Sequence, residues 1–143
     1  MAFTSRIPVR FEDVDFARVV FFPRLFNYCH QVFEDFFGAD VGVGITYAQM
    51  LQKRKIGYPS VHAQADFKHP LRFGDTARIV METTKLSSKS ITNRYRIYLG
   101  DSKTLCAEVE IVTVPNDMES FKARQVPEDV RVAFLNHLTG LTV

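Results

Sequence analysis

The sequence contains no tryptophan and only two cysteines in 143 residues. Cys29 and Cys106 have no second cysteine or histidine at ligand spacing, which excludes a disulfide framework and a zinc site. Both are expected to be small buried apolar residues. No apolar run approaches the ~20 residues of a membrane span, and the first residues lack the apolar core of a secretory signal. A cytoplasmic protein without membrane contact is therefore expected. An excess of one charge is missing too. Eighteen Lys and Arg against sixteen Asp and Glu leave a net charge of +2, too small to attract a nucleic-acid partner. Repeats, low-complexity tracts and cofactor motifs are absent, so no cofactor and no metal are expected. Hydrophobic content of 46% and charged content of 24% fit one ordinary globular domain over residues 1–143.

Phenylalanine is abundant, with thirteen copies, many of them in one stretch from Phe21 to Phe37. Pro23 fits the first turn of a helix, where its missing N–H costs nothing, and Gly38 fits the end. At 100° per residue, Leu25, Phe26, Tyr28, Cys29, Val32, Phe33, Phe36 and Phe37 share one arc of about 180°. Arg24, Asn27, His30, Gln31, Glu34 and Asp35 take the other. A helix this aromatic is expected to be buried at the centre of the fold.

Weak alternation predicts an edge strand from Phe3 to Phe11, with Ile7, Val9 and Phe11 on one face. After the helix, Gly42-Val43-Gly44 reads as a turn, and Thr46 is placed to cap a short helix through Gln52. Four strands follow. Tyr58–Phe67 sends Val61, Ala63, Ala65 and Phe67 one way; the next carries Ala77, Ile79 and Met81 inward. Then Ile91, Asn93, Tyr95, Ile97 and Leu99 face in, and across a hairpin at Gly100–Lys103 so do Leu105, Ala107, Val109 and Ile111. Arg94 and Arg96 should lie near Glu108 and Glu110 on the outer face. Pro127 opens a last helix with Val130, Ala133, Phe134 and His137 on one side. The order predicts an α+β fold in which an antiparallel five-stranded sheet wraps around a long central helix. Its open edges predict association of two or more copies.

Asp13 and Asp15 lie too far before Pro23 to cap the helix, and neither has a His or Cys partner for a metal. A carboxylate entering an apolar stretch suits a nucleophile or general base, working where helix N-terminal amides polarise a carbonyl. The segment Phe11-x-Asp13-x-Asp15-x-Ala17-x-Val19-Val20-Phe21-Phe22-Pro23 resembles the F-x-D-x-D-x-x-G-(I/V)-V-(W/Y) motif of the 4-hydroxybenzoyl-CoA thioesterase family, hot-dog-fold enzymes that hydrolyse acyl-CoA thioesters. Ser60-Val61-His62 through Phe67, Pro70, Gly74-Asp75 and the Lys85–Ser90 turn are similar as well. Cys29-His30 with Phe33-Glu34 also resembles the 1,4-dihydroxy-2-naphthoyl-CoA thioesterases.

The resemblance implies Asp15 as catalytic carboxylate and the backbone N–H of Phe22 as oxyanion donor. It implies Ser87, Ser88 and Lys89 as the site for the CoA phosphates; should Lys89 prove structural, Arg54 and Lys55 are other cations to consider. Arg18 stands where the family has Gly, Phe16 where Pro or Ala is common, and Phe22 where His or Tyr is common. Glu34, His30 and His62 read as structural or polar-face residues, although a helix glutamate is the base in another hot-dog branch. A hydratase, which would normally pair Asp with His five residues on, is disfavoured, because no Asp has that spacing. The implied protein is an acyl-CoA thioesterase, a homodimer or a homotetramer built as a dimer of dimers, acting on an aromatic acyl group. The alternatives are an aliphatic acyl-CoA or acyl carrier protein thioester, or an acyl-binding protein without activity.

Overall fold

In the computed structural model, which describes residues 2–142, the phenylalanine-rich stretch forms helix α1, Pro23–Gly38. The sheet strands are β1 (Phe3–Pro8), β3 (Ser60–Phe67), β4 (Thr76–Leu86), β5 (Ile91–Leu99) and β6 (Leu105–Thr113). They pair antiparallel in the order β1-β4-β5-β6-β3. A two-residue pair, β2 (Ile56–Gly57) with β7 (Asn116–Asp117), lies apart from this sheet. Helix α2 is Tyr47–Gln52, and α3 is Glu128–Leu135. A short strand β8, Leu138–Thr142, pairs parallel to β4 at Thr83 and Lys85, on the edge where β1 has ended at Met81. This is the wrapped-helix layout expected from the chain order, and the hot-dog fold that the resemblance implies, extended by β8.

One arc of α1 is buried: Leu25, Tyr28, Cys29, Val32, Phe33, Phe36 and Phe37. Asn27, His30, Gln31 and Asp35 stay exposed, so a single chain hides the apolar half of the helix and leaves its polar half open. The inner sheet face meets this arc with Ala77, Ile79, Met81, Tyr95, Ile97, Ala107 and Val109, all essentially inaccessible. From the other side α3 inserts Phe134, whose ring lies 4.7 Å from Phe36 and 5.7 Å from Phe33. Such aromatic pairs add about 0.5–1.5 kcal/mol each beyond the burial of their area. Thr46 caps α2 as its spacing predicts. Its Oγ1 accepts from the Gln49 N–H at 3.1 Å, while the Gln49 side chain accepts from the Thr46 N–H at 3.0 Å.

Three expectations need correction. The first strand stops at Pro8, and Phe11 begins a 3-10 turn (Phe11–Asp13) with its ring largely exposed. The turn forms because the Asp13 carboxylate folds back onto the Arg10 N–H at 2.9 Å, which competes with further strand pairing. The outer charge ladder is also partly different. Arg96 pairs with Glu108 at 3.1 Å, but Arg94 reaches Glu82 on β4 at 2.8 Å although its register partner on β6 is Glu110. Arg94 is flanked by both strands, and its side chain can turn to either one. Finally, the inward face of β3 is covered only in part. Val61 is 60% and Phe67 50% exposed while Ala65 packs partly against the core, since β3 is an edge strand and carries a register shift between Ser60 and His62.

Candidate active site

The loop between the 3-10 turn and α1 is a small hairpin in its own right. Val14 bridges Val20, the Asp15 N–H bonds to the Val19 carbonyl at 3.1 Å, and the Arg18 N–H returns to the Asp15 carbonyl at 2.9 Å. Two further bonds, Val20 N–H to the Leu71 carbonyl and Phe21 N–H to the Asp13 carbonyl, hold the loop against the rest of the fold. The tip turns through Arg18, whose φ of 69° is left-handed. Glycine suits that conformation and arginine does not, so the departure from the family motif falls on the one residue of the loop where it strains the backbone.

The two aspartates of the motif have opposite surroundings. Asp13 is 5% exposed and accepts from the Tyr28 hydroxyl at 2.6 Å, with the Arg24 guanidinium 3.7 Å away. Burial, and then the Asp13 carboxylate itself, hold the Tyr28 phenol well above its ordinary range, so the hydroxyl remains a donor. Asp15 is exposed. One of its oxygens accepts from the Ala17 N–H at 2.9 Å, and the other has no partner among the described residues. Alternation of two identical residues could not separate these fates; the separation comes from Tyr28, one turn along α1 from Arg24, whose hydroxyl reaches Asp13.

The start of α1 offers one amide. Pro23 has none, and the N–H groups of Arg24 and Leu25 are taken by the carbonyls of Phe21 and Phe22. No side chain caps the helix, and the Phe22 N–H has no acceptor among the described residues. It is therefore a donor at the positive end of a sixteen-residue helix, positioned to stabilise an oxyanion.

Asp15 and Phe22 share one end of the sheet but line different hollows, joined through the bridged pair Val14 and Val20. Phe22 lines a cavity of about 330 Å³ with Val19, Leu25, Phe67, Leu71 and Cys106 among its walls. Asp15 lines a groove of about 340 Å³ with Phe11, Val14, Arg18, Arg72 and Phe73. Cys106 is not a competing nucleophile, because burial pushes its thiol up to about 11.

Ser87, Ser88 and Lys89 are elsewhere. They form the β4–β5 turn, closed by a 3.0 Å bond from the Ser87 N–H to the Ser90 carbonyl. β4 has eleven residues, so this turn lies roughly 30 Å along the strand from the Asp15 end. Lys89 is exposed, and Ser88 shares a polar hollow of about 220 Å³ with Gln125, Glu128 and Arg131. Arg131, which donates to the Ser87 carbonyl at 2.9 Å, was not legible as part of this surface, because α3 meets the turn only in three dimensions. Of the alternative cations, Arg54 is held bidentately by Asp129 at 2.7 and 3.1 Å. Glu34 pairs with His30 at 3.5 Å on the open face of α1, and His62 lies 3.4 Å from the Gln64 side chain. Among the described residues no cluster of three or more His, Cys, Asp or Glu could hold a metal, and no helix is long and apolar enough to cross a membrane.

The sequence matches the Thioesterase-like superfamily over residues 9–134. A 1,4-dihydroxy-2-naphthoyl-CoA hydrolase from Thermosynechococcus vestitus is 31% identical over 132 residues, covering 85% of this chain and 88% of the relative. The crystal structure of a 1,4-dihydroxy-2-naphthoyl-CoA thioesterase from Synechocystis superposes with a TM-score of 0.85 at 24% identity, covering 95% and 97% of the two chains. A gentisyl-coenzyme A thioesterase superposes with a TM-score of 0.78 at 28% identity, covering 93% and 99%. With a carboxylate and a helix-end amide at one pole of a wrapped helix, and this match across most of its length, the chain belongs to the thioesterase-like superfamily and is a thioester hydrolase.

Proposed function

We propose that this protein hydrolyses an aromatic acyl-CoA, with Asp15 as nucleophile or general base and the Phe22 amide as oxyanion donor. The observation that carries this reading is the occurrence, at one end of the sheet, of a carboxylate oxygen and a helix-start N–H that have no partner among the described residues. As nucleophile, Asp15 would add through an oxygen to the thioester carbonyl. Collapse of the tetrahedral adduct would then expel the CoA thiolate and leave a mixed anhydride for water to cleave. As base, Asp15 would take a proton from the water that attacks directly. Either route gives a free acid and a free thiol, and both place negative charge on the oxygen facing the Phe22 N–H. The aromatic character of the acyl group rests on the relatives' substrates and on the phenylalanines around both hollows, Phe22, Phe67, Phe11 and Phe73. A panel of aromatic and aliphatic acyl-CoAs, followed by thiol release, tests it. Faster turnover of aliphatic chains, or of acyl carrier protein thioesters, would overturn the assignment.

The distance between the Asp15 loop and the Ser87–Lys89 turn has a consequence. One chain does not offer both to a single CoA thioester, whereas a second copy added antiparallel along β3 would bring its turn end beside the first copy's Asp15 end. The exposed β3, with Val61 and Phe67 uncovered, is the edge suited to that addition. Light scattering at micromolar concentration is expected to give a dimer or a dimer of dimers. A monomer with full turnover would contradict a site shared between copies.

Lys89 would meet the phosphates of CoA as an exposed point charge, far from the reacting carbon. Lys89→Ala is expected to raise KM for an acyl-CoA several-fold, on the order of 1 kcal/mol, with kcat nearly constant. The defect should shrink at high ionic strength and vanish with a thioester lacking the nucleotide. Equal loss on both substrates would make Lys89 structural.

A further inference from the structure

The groove that holds Asp15 has an unusual lining for the home of a reacting carboxylate. Its walls include the rings of Phe11 and Phe73, set edge to face at 5.8 Å and 76% and 62% exposed, and its charged lining residues besides Asp15 are Arg18 and Arg72. Neither guanidinium has a hydrogen-bond or ion-pair partner among the described residues, in contrast to Arg6, Arg54, Arg94 and Arg96, which are all paired. With Asp15 ionised the groove carries two positive charges and one negative. Arg18 also keeps a left-handed backbone that costs about 1 kcal/mol relative to glycine, and it does so directly before Val19 and Val20, which line the neighbouring cavity.

We propose that Arg18 and Arg72 determine substrate specificity by binding a carboxylate on the acyl group itself, so that the preferred substrate is an aromatic acyl-CoA bearing a second, anionic substituent. This rests on Asp15 being the reacting carboxylate, since the acyl ring must then lie against Asp15 and hence in this groove. The two phenylalanines supply apolar walls for the ring. A guanidinium presents a planar fork that matches a carboxylate and remains charged at every accessible pH. The positive excess offsets the repulsion that Asp15 exerts on an anionic acyl group. A neutral ring would gain the walls but leave both guanidinium groups as they are.

The test compares kcat/KM for 3- and 4-carboxybenzoyl-CoA with that for benzoyl-CoA. Wild-type protein is expected to prefer at least one carboxylated isomer by about tenfold or more, as charge-assisted hydrogen bonds allow. Raising the ionic strength should erode that preference. Arg72→Gln and Arg18→Gly should each lower the ratio by about fivefold or more, with Arg72→Lys restoring part of it. Arg18→Gly should at the same time raise the melting temperature, because glycine accepts the left-handed angle; a purely structural arginine would show the opposite sign. Absence of any preference in the wild-type protein, or an equal change on all substrates in the variants, would overturn the proposal. Asp15→Asn separates the two readings. Loss of turnover on every substrate with no preference in the wild type sinks the arginine site alone. Turnover retained in Asp15→Asn removes the premise that places the ring here.

Discussion

Asp15→Asn is expected to lower kcat by about 10²–10⁴-fold while KM changes little. The substitution keeps the size and the acceptor oxygen that receives the Ala17 N–H, so the loop bonded through Val19 and Arg18 should persist. What is lost is the charge on the oxygen that has no partner, and with it the capacity to attack a carbonyl or to take a proton from water. Neither the cysteine nor the histidine at this end of the sheet is placed to substitute. Cys106 is held as a neutral thiol, and His69 is engaged with the Pro70 carbonyl at 2.9 Å. Steady-state kinetics on the folded variant decide the matter. Near-wild-type turnover would sink the mechanism.

Two residues earlier the same kind of change should act on stability instead. Asp13→Ala would leave the buried Tyr28 hydroxyl without its 2.6 Å acceptor, free the Arg10 N–H and remove the carboxylate facing Arg24. Loss of one member of such a buried, charge-assisted group costs about 3 kcal/mol, which lowers the melting temperature by roughly 10 °C for a chain of this size. Tyr28→Phe should cost about 1.5–3 kcal/mol, and the double variant should be less destabilised than the sum of the two. Asp13→Asn retains an acceptor and should be milder in both stability and turnover. Additive effects in thermal or urea denaturation would show that the two side chains do not act together. The contrast with Asp15 is the practical point: both aspartates belong to one motif, and one is expected to matter in the melting curve, the other in the rate.

Where one physical rule governs a residue, the chain alone was enough. The 100° spacing of Leu25, Tyr28, Cys29, Val32, Phe33, Phe36 and Phe37 gave the buried arc of α1, and Pro23 and Gly38 gave its ends. Strict alternation gave Ala77, Ile79, Met81 and the inward faces of β5 and β6, and the Thr46–Gln49 spacing gave the cap of α2. The inward-facing polar residue Asn93 also followed from alternation; its partner Thr83, bonded at 2.8 Å across β4 and β5, did not.

The failures occur where two rules compete or where partners are distant in the chain. Local bonding of the Asp13 side chain ended β1 early, and alternation carries no information about that competition. Arg94 sits on β5 between two hairpin partners, β4 with Glu82 and β6 with Glu110, and alternation along β5 does not rank one against the other. β3 alternates like a half-buried strand, yet its place at the sheet edge leaves it largely uncovered, because coverage is a property of the assembly and not of the strand. The candidate site shows the same division. The sequence alone determined the α+β wrap, the buried helix and the motif that singles out Asp15 and Phe22. Only the tertiary structure decided that Asp13 is a buried anchor and Asp15 an open carboxylate, that Arg18 and Arg72 line the same groove as Asp15, and that the Ser87–Lys89 turn lies at the far end of β4. Periodicity reports which way a side chain points from its own element, whereas burial, pairing and distance depend on what the other elements bring to meet it.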